Sequence, residues 1–108
     1  MNFRGMRPKG EGPVRTVSAK LHEKPSLAPK ARLRFDAARD AHFLVYPERA
    51  LELRGSAPEL VLRCTGDMTL EDVIRNVAAE QGASFAEAAE DALPFFAELE
   101  RRGLLVWT

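Results

Sequence analysis

Between Ala31 and Arg54 the chain alternates apolar and polar residues three times, and each run is cut short by residues that cannot continue it. Leu33 and Phe35 alternate with Arg32, Arg34 and Asp36, the two-residue period of a strand. Residues 37–40 make a turn. From Ala41 to Tyr46, Phe43 and Val45 share one face while His42, Leu44 and Tyr46 share the other. Both faces are largely apolar, so this strand is expected at the centre of its sheet. Pro47 has no amide hydrogen and breaks the ladder. Residues 50–54 alternate again, with Leu51 and Leu53 inward and Glu52 and Arg54 outward. That pattern suits an edge strand whose charges oppose unwanted pairing. Joined by such short connections, the three strands make an antiparallel sheet.

Helical periods follow. Gly55 and Ser56 open a first helix, with Ser56 as its N-cap and Leu60, Val61 and Cys64 on one face. Thr65, Gly66 and Asp67 close it. Thr69 with Asp72 three residues on caps a second helix, whose apolar stripe is Leu70, Val73, Ile74, Val77 and Ala78 and whose stop is Gly82. Ser84 and Glu87 form a capping box for a third, which carries Phe85, Ala88, Ala89, Ala92, Leu93, Phe96 and Leu99 and stops at Gly103. Pro94 lies inside it at a cost of roughly 3 kcal/mol, which predicts a bend near Leu93. Leu104 to Trp107 is a final apolar run, either a short strand or a packed tail. The fold class is therefore α+β: a three-stranded antiparallel sheet followed by a three-helix bundle, of winged helix-turn-helix type.

A chain of 108 residues makes one domain, and its 45% hydrophobic and 30% charged content is that of a globular protein. Residues 1–29 hold Pro8, Pro13, Pro25 and Pro29 without a sustained period and are expected to be a flexible basic tail. Residues 14–21 are the part of it that could form a short strand or helix on a partner. The tail carries six Lys or Arg against two Glu, net +4, and residues 30–108 carry ten against fourteen acids, net −4. A domain of that sign is a poor partner for a phosphate backbone. Nor do the helices supply a recognition face: Glu87, Glu90, Asp91, Glu98 and Glu100 precede Arg101 and Arg102, and Arg75 and Asn76 stand among Glu71, Asp72 and Glu80. A winged-helix DNA-binding protein is the weaker alternative.

No catalytic constellation is visible. Cys64, the single cysteine, sits beside Leu60 and Val61 and is expected in the core. It excludes an internal disulfide and fits a reducing compartment, so the expected location is the cytoplasm. His22 and His42 have no metal spacing with it, and Gly10, Glu11 and Gly12 lack the framing elements of a phosphate loop. Glu87, Glu90 and Asp91 make an acidic helix face, either solvated or a docking surface for a basic partner. No enzyme activity, metal or cofactor is expected. What remains is binding a peptide along the edge strand, with an apolar groove between that strand and the third helix, where Ala88, Ala89 and Ala92 leave room beside Leu93 and Phe96. Those alanines equally suit close helix–sheet packing.

Several segments, in order, resemble one known family. They are Leu27-Ala28-Pro29, Arg32-Leu33-Arg34-Phe35, His42-Phe43-Leu44-Val45-Tyr46-Pro47-Glu48 and Ser56-Ala57-Pro58-Glu59-Leu60. Gly66-Asp67, Thr69 through Ile74, Phe95 through Leu99 and Arg102 through Leu105 complete the set. Together they resemble PqqD, the peptide chaperone family of pyrroloquinoline quinone (PQQ) biosynthesis, over roughly residues 27–105. The resemblance implies a non-enzymatic protein that binds the ribosomally made precursor PqqA and presents it to PqqE, a radical S-adenosylmethionine enzyme. It also implies the alternative of leader recognition in another pathway of ribosomally made, modified peptides (RiPPs). In this family the leader docks as an added strand beside the third strand and third helix. Carried onto this chain, the peptide-binding residues are Ala50, Leu51, Glu52, Leu53, Arg54, Ala89, Ala92, Leu93 and Phe96. An exposed edge strand can also pair with its own copy, so a monomer or weak homodimer is expected.

Overall fold

The computed structural model describes residues 12–108. Helix α1 (Gly12–Ser18) and strand β1 (Pro25–Leu27) come first, followed by β2 (Arg32–Asp36), β3 (Ala41–Tyr46) and β4 (Arg49–Leu53). Helices α2 (Ala57–Leu62), α3 (Leu70–Glu80) and α4 (Phe85–Arg101) follow, and β5 (Leu105–Trp107) ends the order. The fold is α+β, with β2, β3 and β4 forming a three-stranded antiparallel sheet in that spatial order.

β3 is the central strand, as its two apolar faces predict. Only one of those faces reaches the core: Leu44 is fully buried, while Phe43 and Val45 on the other face are half-buried. The β3–β4 turn consists of Pro47 and Glu48. Proline cannot take the positive φ that type I′ and II′ turns need at that position, and Glu48 at φ 61° supplies the left-handed residue of a type II turn. The two-residue turn starts β4 at Arg49, one residue earlier than alternation alone predicts.

The capping signals hold. Thr69 Oγ1 accepts from the Asp72 amide at 3.1 Å, and Ser84 and Glu87 make the reciprocal capping box of α4. Ser56 stands at the N-cap of α2, but its hydroxyl accepts from the Gln81 side chain instead of a helix amide, which ties α2 to the end of α3. α4 runs unbroken through Pro94. Beyond the proline, Phe95, Phe96 and Leu99 are fully buried, and that burial offsets the missing hydrogen bond.

The expected tail is corrected over residues 12–29; its first eleven residues lie outside the described residues. α1 packs against α4 of its own chain and buries Val17 completely. β1 pairs antiparallel with β5, joining Pro25 to Trp107, Ser26 to Val106 and Leu27 to Leu105. Lys20 secures this clasp: its Nζ lies 2.6 Å from Glu100 Oε1 and 5.0 Å from the centre of the Trp107 ring. The helices therefore number four among the described residues, one before the sheet and three after it.

Candidate functional site

β4 forms one margin of the sheet. Among the described residues it pairs with β3 alone, in the register Tyr46–Arg49, Val45–Ala50, Leu44–Leu51, Phe43–Glu52 and His42–Leu53. Across a two-residue turn the closing pair exchanges both hydrogen bonds, and the pattern then alternates along the strands. Arg49, Leu51 and Leu53 thus spend their backbone groups on β3, whereas the amides and carbonyls of Ala50 and Glu52 point outward. Ala50, Glu52 and Arg54 are exposed, Leu51 is half-buried and Leu53 is buried. Glu52 and Arg54 pair with each other at 3.2 Å on the surface.

From α4, the sequence singled out Ala89, Ala92, Leu93 and Phe96. Together with Leu53, Ala89, Ala92 and Phe96 belong to one core cluster, against which Leu51 and Leu93 pack half-buried. The structure thus divides these residues between core and surface. Ala92 is 1% exposed and Phe96 0%, so neither has surface to offer and both act as support from beneath. Ala88 and Ala92 do not open a groove toward β4. They line a narrow crevice of about 50 Å³ with Ser56, Leu60, Val77 and Gln81, facing α2 and α3. Of the expected leucines and phenylalanine, Leu51 and Leu93 keep partial exposure.

The acidic face of α4 is also divided. Glu87, Glu90 and Asp91 are exposed, but Glu98, expected among them, is buried. Arg101 Nη2 donates to it at 2.5 Å and Arg102 Nε at 2.7 Å, and these bonds, Arg101's foremost, hold its carboxyl below the usual carboxylate range. Arg102 also donates to the Tyr46 hydroxyl at 2.9 Å, clamping the end of β3 to the end of α4. Its own pKa is raised, first by that bond and then by Glu98. Spacing alone could have offered Glu98 and Arg102 as a helical pair; the link to Tyr46, 56 residues away, could not be read.

The remaining candidates are structural. Cys64 is buried with its thiol donating to the Leu60 carbonyl at 3.3 Å, and burial pushes its pKa up to about 12, which leaves it an inert core group. His42 is half-buried on β3, its ring 4.9 Å from that of its cross-strand neighbour Phe35. His22 is exposed, 3.7 Å from Glu71. Among the described residues no group of three or more His, Cys, Asp or Glu is placed to hold a metal, and no helix is long and apolar enough to cross a membrane.

Comparison with known proteins places the chain in a family. The family model described as coenzyme PQQ synthesis protein D (PqqD) matches residues 41–105, from the first residue of β3 to the first residue of β5. A PqqA binding protein of Xanthomonas oryzae is 35% identical over 81 residues, covering 75% of this chain and 88% of the relative. One from Rhodopseudomonas palustris is 29% identical over 91 residues, covering 84% and 89%. The solution structure of the PqqD portion of Methylobacterium extorquens PqqCD, described as a functional, stand-alone RiPP recognition element, superposes with a TM-score of 0.66. It is 30% identical and covers 76% of this chain and 87% of that one. With a family model that matches most of the chain, a relative 35% identical and a solved structure of the same fold, this chain belongs to the PqqD family.

Proposed function

We propose that this protein is a non-enzymatic, cytoplasmic peptide chaperone of PQQ biosynthesis. It binds a PqqA-like precursor as a strand added to β4 and presents it to a PqqE-like radical S-adenosylmethionine enzyme. The observation that carries the reading is the outward edge of β4, where the backbone groups of Ala50 and Glu52 flank the half-buried Leu51; Leu93 of α4 is the other half-buried leucine of the proposed site. Main-chain hydrogen bonds would supply affinity there, and the two leucines selectivity. The relatives named for PqqA binding support the choice of peptide. Ala50, Leu51, Glu52, Arg54 and Leu93 are the contact residues, with Leu53, Ala89, Ala92 and Phe96 as the packed support. The sheet and the helices after it are winged helix-turn-helix in type, turned to peptide rather than DNA by the acids Glu87, Glu90 and Asp91, which we assign to contact with the modifying enzyme. Free protein is a monomer or a weak dimer through the same edge.

An amide-resolved NMR titration with synthetic Xanthomonas oryzae PqqA tests this. Saturable shifts over residues 50–54 and around Leu93 are expected. Glu52→Pro removes an outward amide while sparing the bonds to β3, so it should lose the shifts and keep the folded spectrum. A folded wild-type spectrum with no shift at any residue would remove the PqqA assignment and turn attention to precursors of other RiPP pathways.

A further inference from the structure

At the turn end of β4 the surface opens into a cleft of about 460 Å³. Its walls are residues 28–31, the β3–β4 turn and the segment that follows α4. Three cationic side chains line it, Lys30, Arg49 and Arg102, and no carboxylate does. Arg102 is already engaged by Glu98 and Tyr46. Lys30 and Arg49 are exposed, and among the described residues neither has a carboxylate within ion-pair distance. Arg39, Arg54, Arg63, Arg75 and Arg101 each have at least one, while Lys24, Arg32 and Arg34, outside the cleft, share the lack of one among the described residues. Tyr46 accepts its bond from Arg102, which leaves its own hydroxyl hydrogen to donate. Pro29, Pro47 and Leu104 complete the walls.

Position connects the cleft to the peptide edge. Arg49 is the first residue of β4 and points to the same face as Leu51 and Leu53. An added strand runs about 4.8 Å outside β4, and a side chain opposite Arg49 has its Cβ roughly 5 Å from that of Arg49. Arg49 is thus shared by the peptide edge and the cleft, and a peptide on the edge would pass its side chain.

We propose that the cleft receives an acidic side chain, Asp or Glu, from the precursor segment leaving the turn end of β4, with Lys30, Arg49 and the Tyr46 hydroxyl as its partners. The inference rests on the strand-addition reading and names the chemistry the peptide must carry beyond the paired segment.

The test is calorimetric titration with Xanthomonas oryzae PqqA, amidated at its C-terminus so that every carboxylate is a side chain. It is set against a version with each Asp and Glu replaced by Asn and Gln. The variant Lys30→Gln/Arg49→Gln should bind the acidic peptide about tenfold more weakly than wild type at low salt. That gap should close at roughly 0.5 M salt. Neutralising the peptide should weaken wild type by a similar factor and leave the double variant unaffected. Equal affinity of wild type and double variant for the acidic peptide overturns the cleft, and so does an equal loss with both peptides. Glu52→Pro separates the two levels. If it abolishes binding while the double variant changes nothing, strand addition stands and the cleft fails. If folded wild type binds neither peptide, both fall.

Discussion

β1 and β5 form a sheet of three-residue strands joining segments about 80 residues apart, whereas β2, β3 and β4 are consecutive segments folded back on one another. Their margins are treated differently. The side of β1 away from β5 is occupied, because the Gly66 amide donates to the Pro25 carbonyl at 2.9 Å and Ser26 bridges to Thr65. Lys24 and Thr108 then exchange both backbone bonds at the end of the pair. β4, in the larger sheet, has no strand on its far side among the described residues. Where closure serves stability, the chain satisfies its backbone from within; at β4 it leaves a margin to be satisfied from outside. On the proposed reading, stability and recognition occupy separate parts of one small fold.

Variants can break that separation, and the largest effect should come from beneath both regions. Phe96→Ala empties a fully buried site and should cost about 4 kcal/mol in urea denaturation. A loss below about 1.5 kcal/mol would mean that the core under β4 is looser than its burial implies. On the closed side, Val17→Ala should cost about 2 kcal/mol by the same measurement and leave the affinity for PqqA unchanged. If affinity falls with it, clasp and edge are coupled and the comparison fails.

The Glu98 clamp joins the end of β3 to the end of α4 and adds a pH dependence. Its folded pKa lies below the ordinary value of 4.5, so its contribution is fully present above that value and is lost as pH falls through the folded pKa. Melting temperatures followed downward from about pH 6 should drop more steeply for wild type than for Glu98→Gln. Glu71 and Glu87 are also lowered, by the Arg75 side chain and by Ser84, but act alike in both proteins, so the difference isolates Glu98. Parallel curves would show that the clamp adds no pH-linked stability. The smallest effect belongs to the open margin: Arg54→Ala removes an exposed ion pair and should change stability by less than about 0.5 kcal/mol. A larger loss would mean that β4 depends on its own surface charges.

What could be read in advance follows from the range of each interaction. The bounds of β3 follow alternation and a following proline, and α3 and α4 follow caps at Thr69 and Ser84, all signals contained within a few residues. α4 crosses Pro94 because the apolar residues beyond it are buried by tertiary packing, which a local helix penalty does not include. β1 was illegible: three residues show no period, and its partner is at the other end of the chain. In the candidate site, the inward leucines of β4 were legible, but the alanines of α4 were not. Spaced three and four apart, Ala88, Ala89 and Ala92 can serve two helix faces, and only the positions of α2 and α3 decide between them. The cationic cleft draws its walls from three separated segments and leaves no pattern in any of them.

The clamp and the clasp also make the molecule its own optical reporter. The chain has one tryptophan and one tyrosine. Trp107 lies in the clasp, its indole donating to Glu100 at 2.8 Å beneath Lys20, and Tyr46 lies at the cleft, bound to Arg102. Indole emission therefore follows the opening of β1 from β5, while the phenol follows a ligand arriving at the turn of β4. Unlabelled protein can then be watched at both places in one cuvette, each chromophore standing for one half of the division between what holds the fold and what receives the peptide.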